Sequence, residues 1–517
     1  MRVPRLELPA VAALLACGFG VLAFPLSDYD YFWHLRTGYL ILETGSIPTT
    51  DPFSFTAAGQ PWVVQGWLFD LCTAWVHRSF GDTGVRAFFV AWLLATWSVV
   101  QTSVRLFVAD RSRALAITLL SAAGAATFFV ARPVAATLLG FALTLFLLLK
   151  YRCSGHARWL MAIPPVMAVW VNLHFGFVTG LGLIVLTCVA DFLSRWMPID
   201  GASTAKGSLT PLRCLLLIAA SVAALGLNPI GYDVVATTIN MTGTNSASGV
   251  IEWHSPDFRL PGAQAFLAVA GLTVVARTMS RTAADWLDIV LLAAMTSAAL
   301  YSMRHMPLAS IAMAPLMARA LAGWAVLPWE NRWSERLPIA LRRSAGHDLG
   351  DGVHALNWSL TAVAVVGLLL AAPAIAAWRD ARVASIVPVQ ATRFLVASDL
   401  QGRILNDYEA GGYLIHRLYP KQRVFVDGRY NPYAPDVIAD YERLRQLGAG
   451  WLDTIDRYRV DVILTRSPGL AFSQALIASS RFRLVYADPY FGVLIRNDGR
   501  RPDLGDVVAP PSLPHPR

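Results

Sequence analysis

The chain has 517 residues, of which 55% are hydrophobic and 15% charged, and its mean hydropathy is +0.48. Soluble domains carry about 25% charged residues, so this composition excludes an ordinary soluble enzyme and points to a polytopic membrane protein. The formal net charge of +9 does not mark a nucleic-acid binder, because the basic residues recur in short clusters between apolar segments rather than in one patch.

Taken in chain order, the apolar segments predict about eleven transmembrane helices, each near the roughly 20 residues a bilayer requires. They cover 8–26, 85–108, 114–131, 134–150, 158–171, 175–194, 212–228, 264–279, 286–302, 306–326 and 356–378. Segment 8–26 follows Arg2 and Arg5 but lacks a small-residue cleavage pattern, so it reads as a retained first span. The stretch 65–80 is apolar but interrupted by Asp70, His77 and Arg78, and reads as an interfacial helix.

With the N-terminus in the cytoplasm, the inner loops collect Arg111, Arg113, Lys150, Arg152, Arg158, Arg195, Lys206, Arg213, Arg277, Arg281, Arg332, Arg336, Arg342 and Arg343. The short outer loops keep only Arg132, Arg259 and Arg304. This is the positive-inside bias. An odd number of spans sends the C-terminus to the outer face of the membrane.

Beyond the last span the pattern changes. Strands are expected at 424–426, 460–464 and 484–486, and helices at 413–418, 435–447, 451–458 and 471–478. Their alternation predicts a small α/β domain. The expected fold class is therefore a polytopic α-helical membrane protein with a C-terminal small α/β domain on the outer face. The expected domains are a transmembrane part over 1–378, with outer loops at 27–84 and 229–263, the α/β domain over 379–501, and a proline-rich disordered tail over 502–517. Five cysteines show no metal-type spacing and no disulfide framework.

In this topology the unusual polar residues gather at the outer face. Asp28-Tyr29-Asp30 and Trp33-His34-Leu35-Arg36 follow the first span. His174 lies in the turn after the fifth span, Glu252 and His254 in the long loop, and Arg304 after the ninth span. Asp407, Glu409, Asp427 and Arg429 belong to the outer domain. Ionisable groups at membrane depth are costly, and a one-sided cluster suits chemistry on a charged substrate at the interface. A transporter would more often place such groups at mid-depth. Gly411-Gly412 lacks any phosphate-loop pattern.

The run Asp28 to Gly38, with Ile47-Pro48, Asp51-Pro52-Phe53-Ser54-Phe55 and Pro61-Trp62, resembles the first outer loop of bacterial GT-C glycosyltransferase-like membrane proteins. The likeness continues through Trp170 to Gly176, Asn228-Pro229, Glu252-Trp253, Arg304 to Pro307 and Asp427-Gly428-Arg429. It extends distantly to oligosaccharyltransferase catalytic subunits, although the tandem tryptophans of their acceptor motif are absent near Asp407.

The resemblance implies transfer of a sugar from a polyprenyl-phosphate-type lipid donor to an envelope acceptor. It assigns catalysis to Asp28 and Asp30, as base or as ligands of a divalent Mg or Mn ion where the reaction is metal-dependent. Donor phosphate would fall to Arg304 and Arg36, and substrate orientation to His34, His174, Glu252 and His254. Acceptor or structural roles would fall to Asp407, Glu409, Asp427 and Arg429. The expected partners are the bilayer, the lipid-linked donor and the acceptor, with no nucleic acid. The rival readings are a lipid-linked saccharide flippase and a non-catalytic scaffold whose outer domain binds a partner.

Overall fold

The computed structural model describes residues 18–201, 205–247, 251–322, 351–429, 432–466 and 471–497. Most of the expected span 8–26, the basic loop with Arg332 to Arg343 and the expected disordered tail lie outside the described residues. Residues 18–23 are helical. The chain divides into two compact units, Met1–Leu22 with Ala87–Ala372, and Ala23–Arg86 with Pro373–Arg517.

The second unit joins the expected first outer loop to the C-terminal region. The loop itself is largely helical: α1 covers Tyr29–Thr44 and α2 covers Trp67–Val104. Asp28 caps α1, its Oδ1 accepting the Asp30 N–H at 3.0 Å, and Gly45 ends the helix with φ 67°. The expected interfacial helix and the following span belong to this one α2, broken at Gly81, where φ is 61° and ψ −161°.

Helices fill the first unit. They are α3 (Arg111–Ala125), α4 (Val134–Ser154), α5 (Ile163–Leu173), α6 (Phe177–Trp196), α7 (Pro211–Leu225), α8 (Asp233–Ala247), α9 (Pro261–Thr278), α10 (Trp286–Tyr301) and α11 (Met306–Leu321). The expected outer loop 229–263 therefore contains α8. Three described helices, α2, α4 and α6, are long and apolar enough to cross a membrane by length and composition. Helices α7 and α10 are apolar but shorter. The core packs Phe141, Trp170, Phe177, Leu183 and Leu217. Near the chain ends of α4, α6, α10 and α11, Arg152 pairs with Asp191 and, at 3.0 Å, with Asp285; Arg319 pairs with Asp285 at 2.8 Å and Asp288 at 2.7 Å.

Helix α12, Asp351–Ile386, carries Pro373 in its interior and leads into the C-terminal part of the second unit. There α13 (Val389–Ala397), α14 (Gly411–Leu418), α15 (Pro435–Arg445), α16 (Trp451–Arg457) and α17 (Ala471–Ala478) flank a four-stranded sheet. Strands β1 (Ile404–Asn406), β2 (Val462–Arg466), β3 (Phe482–Ala487) and β4 (Phe491–Arg496) run in the order β1-β2-β4-β3. Only the β1–β2 pair is parallel. The α/β expectation holds, with corrections in detail. Val424 makes isolated bridges to Ser54 and Ile404 rather than a strand of its own, while β1 and β4 have no counterpart among the expected strands.

Side chains alternate across this sheet as its pleat requires. Val462 and Leu464 face one core with Phe53, Trp62, Leu395 and Leu414; Ile463 faces another with Phe425, Tyr441 and Ile455. The Phe53 and Trp62 rings thus tie the segment after α1 to the sheet. Gly38 sets the α1–α2 approach, since a Cβ there would lie 2.0 Å from the Asp70 carbonyl oxygen.

Candidate functional site

In the second unit the site is built on the first turns of α1. Asp28 is committed to capping, which explains its place just before the helix. Asp30 follows in the first turn, where the helix dipole favours a carboxylate. Its Oδ1 accepts the Trp33 Nε1–H at 3.1 Å. Gly428 presses on the same oxygen: a Cβ at position 428 would come within 2.0 Å of it. The Asp427-Gly428-Arg429 loop therefore seats Asp30, and a side chain at 428 would displace its carboxylate.

One turn further, His34 stacks on Trp33 with ring centroids 3.5 Å apart. Its Nδ1 lies 2.7 Å from Oδ1 of Asp70, a fully buried residue in the first turn of α2. Asp70 was read from sequence only as an interruption of an apolar stretch. Tyr29, between the two acids, meets Arg466 from the end of β2 at 3.2 Å, and Arg466 also approaches Glu409 at 3.5 Å.

The remaining candidates of this unit fall in less open surroundings. Arg36 gives both Nη groups to Glu43, each at 2.9 Å, and lies over the Tyr419 ring. Asp427 and Arg429 are fully buried and belong to the interior rather than to an acceptor surface. Arg429 bonds both oxygens of Asp427, at 2.8 and 2.7 Å, reaches Asp51 at 2.6 Å and stacks on Trp62. Burial alone would lower the Arg429 pKa, but Asp427, Tyr433 and Asp51 carry it well above the usual guanidinium value. Asp407 accepts the Arg466 backbone N–H, and burial raises its pKa. Glu409 is half-exposed.

In the first unit, Glu252 stands between two guanidinium groups. It pairs with Arg132 and lies 3.3 Å from Arg304. Burial would raise its pKa, yet the two arginines hold it below the ordinary glutamate value. Arg304 is flanked by the rings of Trp253 at 4.8 Å and Phe175 at 5.3 Å. Both cations reach the one carboxylate. Arg132, read from sequence only as an isolated outer cation, is the partner that reading missed.

Nδ1 of His174 lies 2.6 Å from Thr137 Oγ1 and accepts the Gly176 N–H at 3.2 Å, so its ring is fixed by its own turn and α4. His254 is exposed and uses its backbone carbonyl to accept the Met303 N–H.

Among the described residues no group of three or more His, Cys, Asp or Glu side chains could hold a metal ion. Oδ1 of Asp28 serves the helix cap, and Oδ1 of Asp30 accepts the Trp33 Nε1–H.

No protein-family model matches the chain, and no curated protein matches it. Solved structures do. The archaeal oligosaccharyltransferase AglB from Archaeoglobus fulgidus, in complex with an inhibitory peptide and a dolichol-phosphate, superposes with a TM-score of 0.52 at 11% identity, over 92% of this chain and 72% of that one. The same organism's oligosaccharyltransferase tethered with an acceptor peptide containing the NVT sequon gives 0.50 at 12%, over 94% and 74%. ArnT from Cupriavidus metallidurans in the apo state gives 0.50 at 15%, over 94% and 96%. At these identities the likeness shows the fold alone: a helical architecture with a small C-terminal sheet, shared with these structures.

Proposed function

We propose that this chain is a glycosyltransferase that moves a sugar from a polyprenyl-phosphate-type lipid to an envelope acceptor at the outer face of the bacterial inner membrane. The observation that carries the reading is the seat of Asp30. A carboxylate in the first turn of a helix, fixed by Trp33 and covered by Gly428, is a pre-positioned base. Support also comes from the fold, since one neighbour of like architecture was solved with dolichol-phosphate.

The chemistry needs two devices. Asp30 takes the proton of an acceptor hydroxyl as its oxygen bonds the anomeric carbon. The bond from that carbon to the phosphate oxygen breaks, and the phosphate leaves with the electron pair. A leaving phosphate is stabilised by pre-organised cations. The first unit carries a cationic group of its own, with Arg132 and Arg304 around Glu252, and it also holds His174 and His254. Arg36, engaged by Glu43, is a packing cation on this reading, and Glu409 is the acceptor-facing acid of the C-terminal region.

The test is transfer of radiolabelled sugar from a polyprenyl phosphate by purified protein in nanodiscs. Asp30→Asn should reduce turnover by about 100-fold or more, in the range of general-base losses. Full activity in a folded Asp30→Asn protein would remove Asp30 from the chemistry. Sugar-lipid movement across the bilayer without a covalent product would replace the transferase by a flippase.

A further inference from the structure

The pair formed by His34 and Asp70 is unused by the reading above, and its geometry is specific. Asp30, His34 and Gly38 are spaced four residues apart on α1, so they line one stripe of the helix. That stripe faces α2: Gly38 touches the Asp70 carbonyl, and His34 reaches the Asp70 carboxylate at 2.7 Å. Asp70 has no exposed surface, and among the described residues its second oxygen makes no hydrogen bond. A buried carboxylate with one satisfied oxygen is costly. The imidazole is its side-chain partner.

We propose that Asp70 is a positioning residue that fixes the tautomer of His34, so that Nδ1 carries the proton and Nε2 is presented as an acceptor to a hydroxyl of the sugar donor or acceptor. The inference rests on the transferase reading only for the identity of that hydroxyl. An ionised carboxylate can only accept hydrogen bonds, so the nitrogen that faces it must be the protonated one. Trp33 completes the arrangement. Its ring stacks on His34 while its N–H holds Asp30, so one indole fixes both groups. The carboxylate and the imidazole then lie one helical turn apart on the same face, a spacing that suits two contacts to one substrate.

The experiment uses the full-length protein in nanodiscs with 15N-labelled histidine, the His34 signals being assigned by their loss in His34→Gln. The wild type should show Nδ1 protonated and Nε2 bare. In Asp70→Leu, which keeps the volume and removes the acceptor, the protonation should move to Nε2 or divide between the two nitrogens. A wild-type His34 protonated on Nε2 overturns the proposal, as does an unchanged tautomer in Asp70→Leu. Should Asp70→Leu fail to fold, the wild-type spectrum decides alone.

The activity arm is separate. In the radiolabelled transfer assay, Asp70→Leu should lower kcat about tenfold, and Asp70→Leu should cost nothing further in a His34→Gln background. Additive losses overturn the positioning role. A wild-type protein that transfers no sugar removes the transferase reading, and the tautomer result still decides the role of Asp70.

Discussion

Asp51, Asp427 and Arg429 show how a charged triad can serve structure alone. Arg429 is held on three sides by carboxylate oxygens and lies against the rings of Phe53 and Trp62. Asp51 also accepts the backbone N–H of Phe53 and of Ser54, so the triad fastens the segment after α1 to the loop that carries Gly428. Removing one member leaves an uncompensated buried charge. Arg429→Met should destabilise the second unit by about 3–5 kcal/mol, read as a large fall in the unfolding temperature of the detergent-solubilised protein. An unchanged transition would show that the triad carries no stability. Arg429 and Asp51 are 378 residues apart in the chain, which is why the sequence offers Asp427-Gly428-Arg429 as a candidate surface motif and hides its burial.

At the scale of elements, the α1 helix and the 428 loop decide where Asp30 stands. Gly428→Ala places a methyl group against the flexible end of one carboxylate rather than against backbone. The fold should therefore survive with a change in unfolding temperature of only a few degrees, while sugar transfer falls at least tenfold because Asp30 is displaced. Transfer and stability falling together would show that the glycine serves packing only. Gly38→Val is the contrasting case, since its Cβ meets the Asp70 carbonyl and the Ala74 methyl, neither of which can rotate away. That variant should fail to give a cooperative unfolding transition. Helix α1 was not legible as a helix because its aromatic and charged residues are mixed along its length; its buried positions, Tyr31, Leu35, Gly38 and Ile41, follow the helical period only once the partner helix is known.

At the scale of the whole molecule, stability depends on acid through groups that fold neutral. His416, on α14, has its pKa lowered to about 4 by burial and by the nearby His77, Arg417 and Arg36. Its ordinary value is 6.5, so the unfolded chain takes up a proton that the folded chain refuses. The contribution is complete above pH 6.5 and is lost as pH falls from 6.5 toward 4. Unfolding temperature should drop across that window, and His416→Phe, which keeps a ring beside Phe32, should flatten the slope. A slope unchanged by His416→Phe would assign the acid sensitivity to other groups.

The sequence by itself determined the class of molecule. Apolar length and composition are local properties, so helical segments between positions 85 and 378 and the later switch to an α/β pattern could be read residue by residue, although the helix Asp233–Ala247 lies in what reads as a loop. The Asp28-Tyr29-Asp30 run could be singled out for the same reason, because its composition is unusual within a single short window. Tertiary structure decided the rest. It made the stretch after the first span a helical part of the C-terminal unit, turned Asp28 into a cap, and enclosed Arg429. It also joined Arg132 to Glu252 and gave His34 a buried partner. Apart from the local Asp28 cap, each of these depends on a contact between residues far apart in the chain, where hydrogen-bond and ion-pair energies depend on distance and burial, which only the folded packing sets.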